Sequence, residues 1–160
     1  MIEADAWQGT GIEAMAETAA RAVFAELGLD PAIFEIAVLA CDDARITELN
    51  ADFRGKSVPT NVLSWPAQEL APDDEGAAPL PPEEDGFGGR TELGDIAISF
   101  DTCAREAADQ DKAFSAHVTH LMVHGCLHLL GYDHVSDKDA ALMEGLETAI
   151  LAKLGVADPY

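Results

Sequence analysis

The chain has few basic residues: nine lysines and arginines stand against 30 aspartates and glutamates, a formal charge of −21. Proteins that capture nucleic acid by charge alone are usually basic, so any nucleic-acid role here must rest on a local basic site. Cysteine is equally scarce. Cys41, Cys103 and Cys126 are too few and too scattered for a disulfide framework, which makes a reducing, cytoplasmic setting the default. No apolar run approaches the roughly 20 residues needed to cross a bilayer, and residues 1–11 lack the basic and apolar regions of a signal peptide. No internal repeat is visible. What remains is an ordinary globular composition: 160 residues, 48% hydrophobic, enough for one domain with a sizeable core.

Hydrophobic spacing predicts the elements in order. Ile12, Met15, Ala16, Ala19, Val23 and Leu27 form a helical stripe ended by Gly28. Residues 33–41 read as a buried strand, and Asp42 or Asp43 caps a short helix carrying Ile46, Leu49 and Phe53 up to Gly55. Residues 61–65 form a second strand stopped by Pro66. Residues 93–100 form a third, with Asp101 as the cap of a helix that follows. Residues 114–130 are a long apolar helix ended by Gly131. Ser136 caps a last helix to about Leu154, with Asp137 and Asp139 in its first turn. The expected architecture is a single α+β domain over 1–160, with a small mixed sheet of about four strands and five to six helices.

Residues 66–89 differ in character. They hold five of the eight prolines and seven acids with no basic residue, which predicts a solvated, mobile acidic insertion. Removing those seven acids takes the charge of the remainder from −21 to −14, so the body is still acidic.

All five histidines fall between His117 and His134. On a helix, residues four apart lie nearly above one another, about 6 Å along the axis, so His124 and His128 can chelate one ion. Gly131 can take a positive φ and turn the chain, bringing His134 back to the same ion. Three imidazoles leave an open position, as expected of a catalytic zinc, which lowers the pKa of its water to about 7. A mere surface stripe of histidines would leave Gly131 and His134 unexplained, and a His120–His124 pair would leave His128 and His134 too far along. His120 is instead a partner of the ligands or a substrate contact, and Cys126 points into the core. The spacing is also that of metzincin metalloproteases. Those carry a glutamate base directly after the first histidine, where this chain has Gly125, so a zinc metalloprotease is the weaker alternative.

The run HGCLHLLGYDH at 124–134, NADFRGK at 50–56, TNVLSW at 60–65 and LGDIAIS at 93–99 together resemble the YbeY family of bacterial endoribonucleases. The resemblance covers nearly the whole chain in the expected order. It implies an α+β domain, one Zn²⁺ per chain on His124, His128 and His134, and single-strand-specific RNA cleavage. The work implied is maturation of the small-subunit ribosomal RNA 3′ end and ribosome quality control. Ribosomal RNA, the ribosome and other ribosome-associated proteins are the implied partners, with no membrane and no DNA. Arg54 matches the arginine of the second block and is the candidate catalytic residue, since a guanidinium binds phosphate and stabilises developing negative charge. Lys56, Asp95 and Asp133 are further candidates: a second cation, a carboxylate that orients a ligand histidine or ends a strand, and a proton-handling or turn-forming acid. The second block often has aspartate where this chain has Asn61, so no carboxylate role carries over there. A ribosome-associated assembly factor with a structural metal is the alternative from another class, favoured by the −21 charge.

Overall fold

The structure is a computed structural model that describes residues 1–86 and 88–160. A 3₁₀ turn, Asp5–Trp7, precedes helix α1 (Ile12–Leu27), strand β1 (Phe34–Cys41), helix α2 (Asp43–Arg54), and strands β2 (Val62–Pro66) and β3 (Thr91–Ser99). Helices α3 (Phe100–Asp109), α4 (Phe114–Leu129) and α5 (Asp137–Lys153) complete the chain. Among the described residues no helix is long and apolar enough to cross a membrane.

β3 is the central strand, parallel to β1 and antiparallel to β2. Its side chains alternate between the two faces. Leu93, Ile96 and Ile98 enter the larger core with α1, α4 and α5, while Ala97 joins Cys41, Ile46 and Leu63 beneath α2. The helix-rich face thus buries most of the apolar surface, and α4 lies in its centre.

Two glycines make the layers possible. Gly94 sits at the irregularity in the β1–β3 register with φ 141°, and a Cβ there would lie 2.2 Å from the Trp65 carbonyl. Gly125 lets α4 settle on the sheet, since a Cβ would meet Ile96 Cδ1 at 3.1 Å and Ser64 Oγ at 3.3 Å. Ser64 Oγ donates to the Gly125 carbonyl across this contact at 3.3 Å.

Most expected boundaries hold within a residue or two. Asp42 caps α2 by accepting from the Arg45 N–H, and Ser136 caps α5 by accepting from Asp139. Two expectations are corrected. Among the described residues the sheet has three strands, not about four. On the edge of β1 away from β3, the described residues form only an isolated bridge from Ile2 to Ala40, because the chain bends into the 3₁₀ turn directly afterwards. Asp101 does not cap α3. β3 runs straight into the helix with Ser99 at the N-cap, which leaves Asp101 in the first turn, where its carboxylate accepts from the Asp43 N–H at 3.0 Å.

Between β2 and β3, residues 67–86 contain neither helix nor strand, yet they are tied to the body. Gln68 and Glu83 exchange two 2.9 Å hydrogen bonds, Leu80 N–H donates to the Leu70 carbonyl, and Gly76 N–H donates to Asp139. Leu70 is buried against Gly131.

Candidate metal centre and cleft

α4 carries its histidines on one stripe because it must bury Val118, Leu121, Met122, Val123, Cys126, Leu127 and Leu129 on the others. Cys126 faces the core, where burial pushes its thiol up to about 12. The histidine stripe opens onto a cleft of about 1040 Å³. Its walls include Arg54 and Phe53 from the end of α2, residues 60–64 leading into β2, Glu69 and Asp73 from the acidic segment, and the turn carrying His134.

His124, His128 and His134 each offer a ligand atom within 4.8 Å of the others. The ring of His134 stacks on that of His124 at 5.3 Å and stands edge-on to His128 at 5.1 Å. The turn that returns His134 depends on Gly131 at φ 96°, and the Asp133 carboxylate holds it by accepting from the His134 N–H at 2.7 Å.

The hydrogen bonds define which nitrogens are free. His124 Nδ1 donates to Glu147 at 2.6 Å, and His128 Nδ1 donates to the Tyr132 carbonyl at 2.9 Å. An ionised carboxylate and a carbonyl can only accept, so both Nδ1 atoms carry the proton when the rings are neutral. Both Nε2 atoms then present lone pairs, and they face each other at 3.0 Å. Two lone pairs at that distance repel unless a cation or proton lies between them. The donor set therefore fits a divalent ion, with each ring's other nitrogen held as imidazole ligands require. Burial, then the neighbouring His124 and His134, pushes His128 down to about 4, which keeps it neutral and able to ligate.

Glu147 is the residue that sequence reasoning missed. It is fully buried on α5 and accepts from His124, from His120 Nε2 at 2.8 Å and from the Tyr160 hydroxyl at 2.6 Å. Burial alone would raise its pKa, but bonds from the two histidines, the charge of His124 and the Tyr160 bond hold it at about 2. The signal lay in the sequence: one carboxylate within the buried stripe of Met143, Ile150 and Leu151. His120, His124 and Glu147 form a second group of convergent donors, but here the donors satisfy one another.

The other expected residues divide. Arg54 lines the cleft and makes no ion pair among the described residues. His120 and Asp133 line it too, whereas Lys56 follows the α2 C-cap outside it. Asp95 lies on the far face of β3, beside Leu39, Leu49 and Trp65, and does not reach the histidines. His117 pairs with Glu106 at 3.0 Å, and Glu106 also accepts from Asn61 Nδ2 at 3.0 Å.

As a class, this is a small α+β domain with an open cleft onto which three imidazoles that could hold a metal ion converge. Residues 3–155 match the family described as Endoribonuclease YbeY, and the chain belongs to that family, whose name denotes a hydrolase. It is 62% identical over 146 residues to the endoribonuclease YbeY of Ruegeria pomeroyi, covering 91% of this chain and 88% of that one. It is 57% identical over 160 residues to that of Paracoccus denitrificans, covering 100% and 87%. The solution structure of a Thermotoga maritima protein shares the fold, with TM-score 0.54 and 24% identity over 97% of this chain and 92% of that one.

Proposed function

We propose that this protein is a zinc-dependent, single-strand-specific endoribonuclease that acts in maturation of the small-subunit ribosomal RNA 3′ end and in ribosome quality control. Family membership supports the RNA-cleaving activity, and the opposed Nε2 atoms of His124 and His128 carry the metal dependence. His124, His128 and His134 would hold the ion. When bound, zinc supplies Lewis acidity and a water of lowered pKa at the floor of the cleft. Glu147 and the Tyr132 carbonyl fix the ring orientations and tautomers of His124 and His128. Arg54, on the same cleft and in no ion pair among the described residues, binds the phosphate and stabilises charge as the phosphodiester is attacked.

The test offers the purified protein single-stranded RNA, DNA and a peptide, with and without chelator, beside His128→Ala and Arg54→Glu. Cleavage of RNA alone, lost with chelator and in both variants while Arg54→Glu keeps its metal, is the expected outcome. RNA cleavage that persists in chelator refutes the catalytic-metal reading.

A second reading is a ribosome-associated assembly factor with a structural metal. It is favoured by the charge of −21 and by Glu69, Asp73 and Asp133 around the cleft, which weaken unaided capture of RNA. Cleavage seen only with ribosomes present would support it.

A further inference from the structure

Phe53 is 50% exposed in the last turn of α2, one residue before Arg54. That helix buries Ile46 and Asn50, and Phe53 continues the same face at the helix end, where the core no longer covers it. The ring nevertheless does not hang free: it leans on Trp65 with centroids 5.2 Å apart and planes at 55°. It borders the same cleft as Arg54 and the three converging histidines. Tyr160, another exposed aromatic on that cleft, has its hydroxyl committed to Glu147. Phe53 is a plain hydrocarbon surface at the rim of a polar cleft, and its own fold leaves half of it in water.

We propose that Phe53, backed by Trp65, is a stacking platform for one unpaired nucleobase of the RNA strand whose phosphate Arg54 binds. This rests on the endoribonuclease reading above and names a subsite for it. A base and its phosphate belong to one nucleotide, so adjacent aromatic and guanidinium side chains at a helix end can engage them together. Stacking also answers the charge problem: it adds affinity that depends on π surface rather than on counterion release, which suits a chain of charge −21. Every base has a π face, so the platform selects an unpaired base without selecting its identity. In a duplex that face is covered by its neighbours.

The experiment measures kcat and KM of the metal-loaded full chain on a single-stranded RNA oligonucleotide. The same strand is then used with one abasic nucleotide walked along it. Phe53→Ala should raise KM about tenfold to a hundredfold with kcat little changed, and Phe53→Trp should restore KM. At one abasic position the wild type should fall to the level of Phe53→Ala, which itself loses nothing more there. The Phe53→Ala loss should be equal at low and high salt, as stacking rather than ion pairing requires. Wild-type KM in Phe53→Ala, or equal losses for wild type and variant at every abasic position, would overturn the platform while leaving the endoribonuclease reading intact. A wild type that cleaves no RNA overturns that reading, and the platform with it.

Discussion

Glu147 accepts a 2.6 Å hydrogen bond from His124 Nδ1 while wholly buried beneath the cleft. The bond turns the Nε2 lone pair of His124 toward His128 and His134. Glu147→Gln places an amide that must also satisfy His120 and Tyr160, so one donor loses its acceptor. Metal affinity should fall roughly 10–100-fold, measured by competition with a chromophoric chelator. Unchanged affinity would show that His124 needs no such support.

The metal-free protein should lose stability in acid in two windows. His128, pushed by burial and its histidine neighbours down to about 4, takes up its proton more readily when unfolded. The unfolded chain then binds more protons between about pH 6.5 and 4, and acidification through that range favours unfolding. Glu147, held at about 2, adds a second loss as pH falls below the ordinary carboxylate range towards that value. Urea midpoints from pH 7 to pH 3 check this, and His128→Gln should flatten the upper window only.

Gly131 should tolerate no side chain. Its φ of 96° is strained for other residues, and a Cβ would lie 2.7 Å from the Leu70 carbonyl carbon. Gly131→Ala should cost about 1–3 kcal/mol in denaturant unfolding and weaken metal binding, because the same turn carries His134. Leu70→Ala should also weaken metal binding if the acidic segment braces that turn; equal metal affinity in both variants and the wild type would refute the link.

Asn61→Asp should be destabilising at neutral pH and less so at high salt. Asn61 Nδ2 donates to Glu106 at 3.0 Å, so an aspartate would face that carboxylate with like charge. The difference in thermal midpoint between variant and wild type should shrink as salt screens the two carboxylates, and a constant difference would rule out charge repulsion as the cause.

The elements and the convergence of the histidines were legible in the sequence because they depend on local rules. Helical spacing put His124 and His128 on one face, glycines marked helix ends, and Asp42 and Ser136 announced their caps. Gly125 could be read only as the absence of a protease base. Packing supplies its reason, for it is where α4 touches Ile96 and Ser64 of the sheet.

Contacts between distant segments were not legible, because no local period encodes them. Glu147 lies 23 residues from His124, and only the packing of α5 on α4 brings them together. The alternation of β3 decided the fate of Asp95: with Ile96 turned toward α4, its neighbour must face the other side of the sheet. The sequence alone thus determined a helix-borne histidine site followed by a glycine turn. The tertiary structure decided which buried carboxylate holds it, which wall carries Arg54, and that Phe53 stands exposed beside it. Those depend on long-range packing, which sets the direction of each side chain after the local rules have placed its backbone.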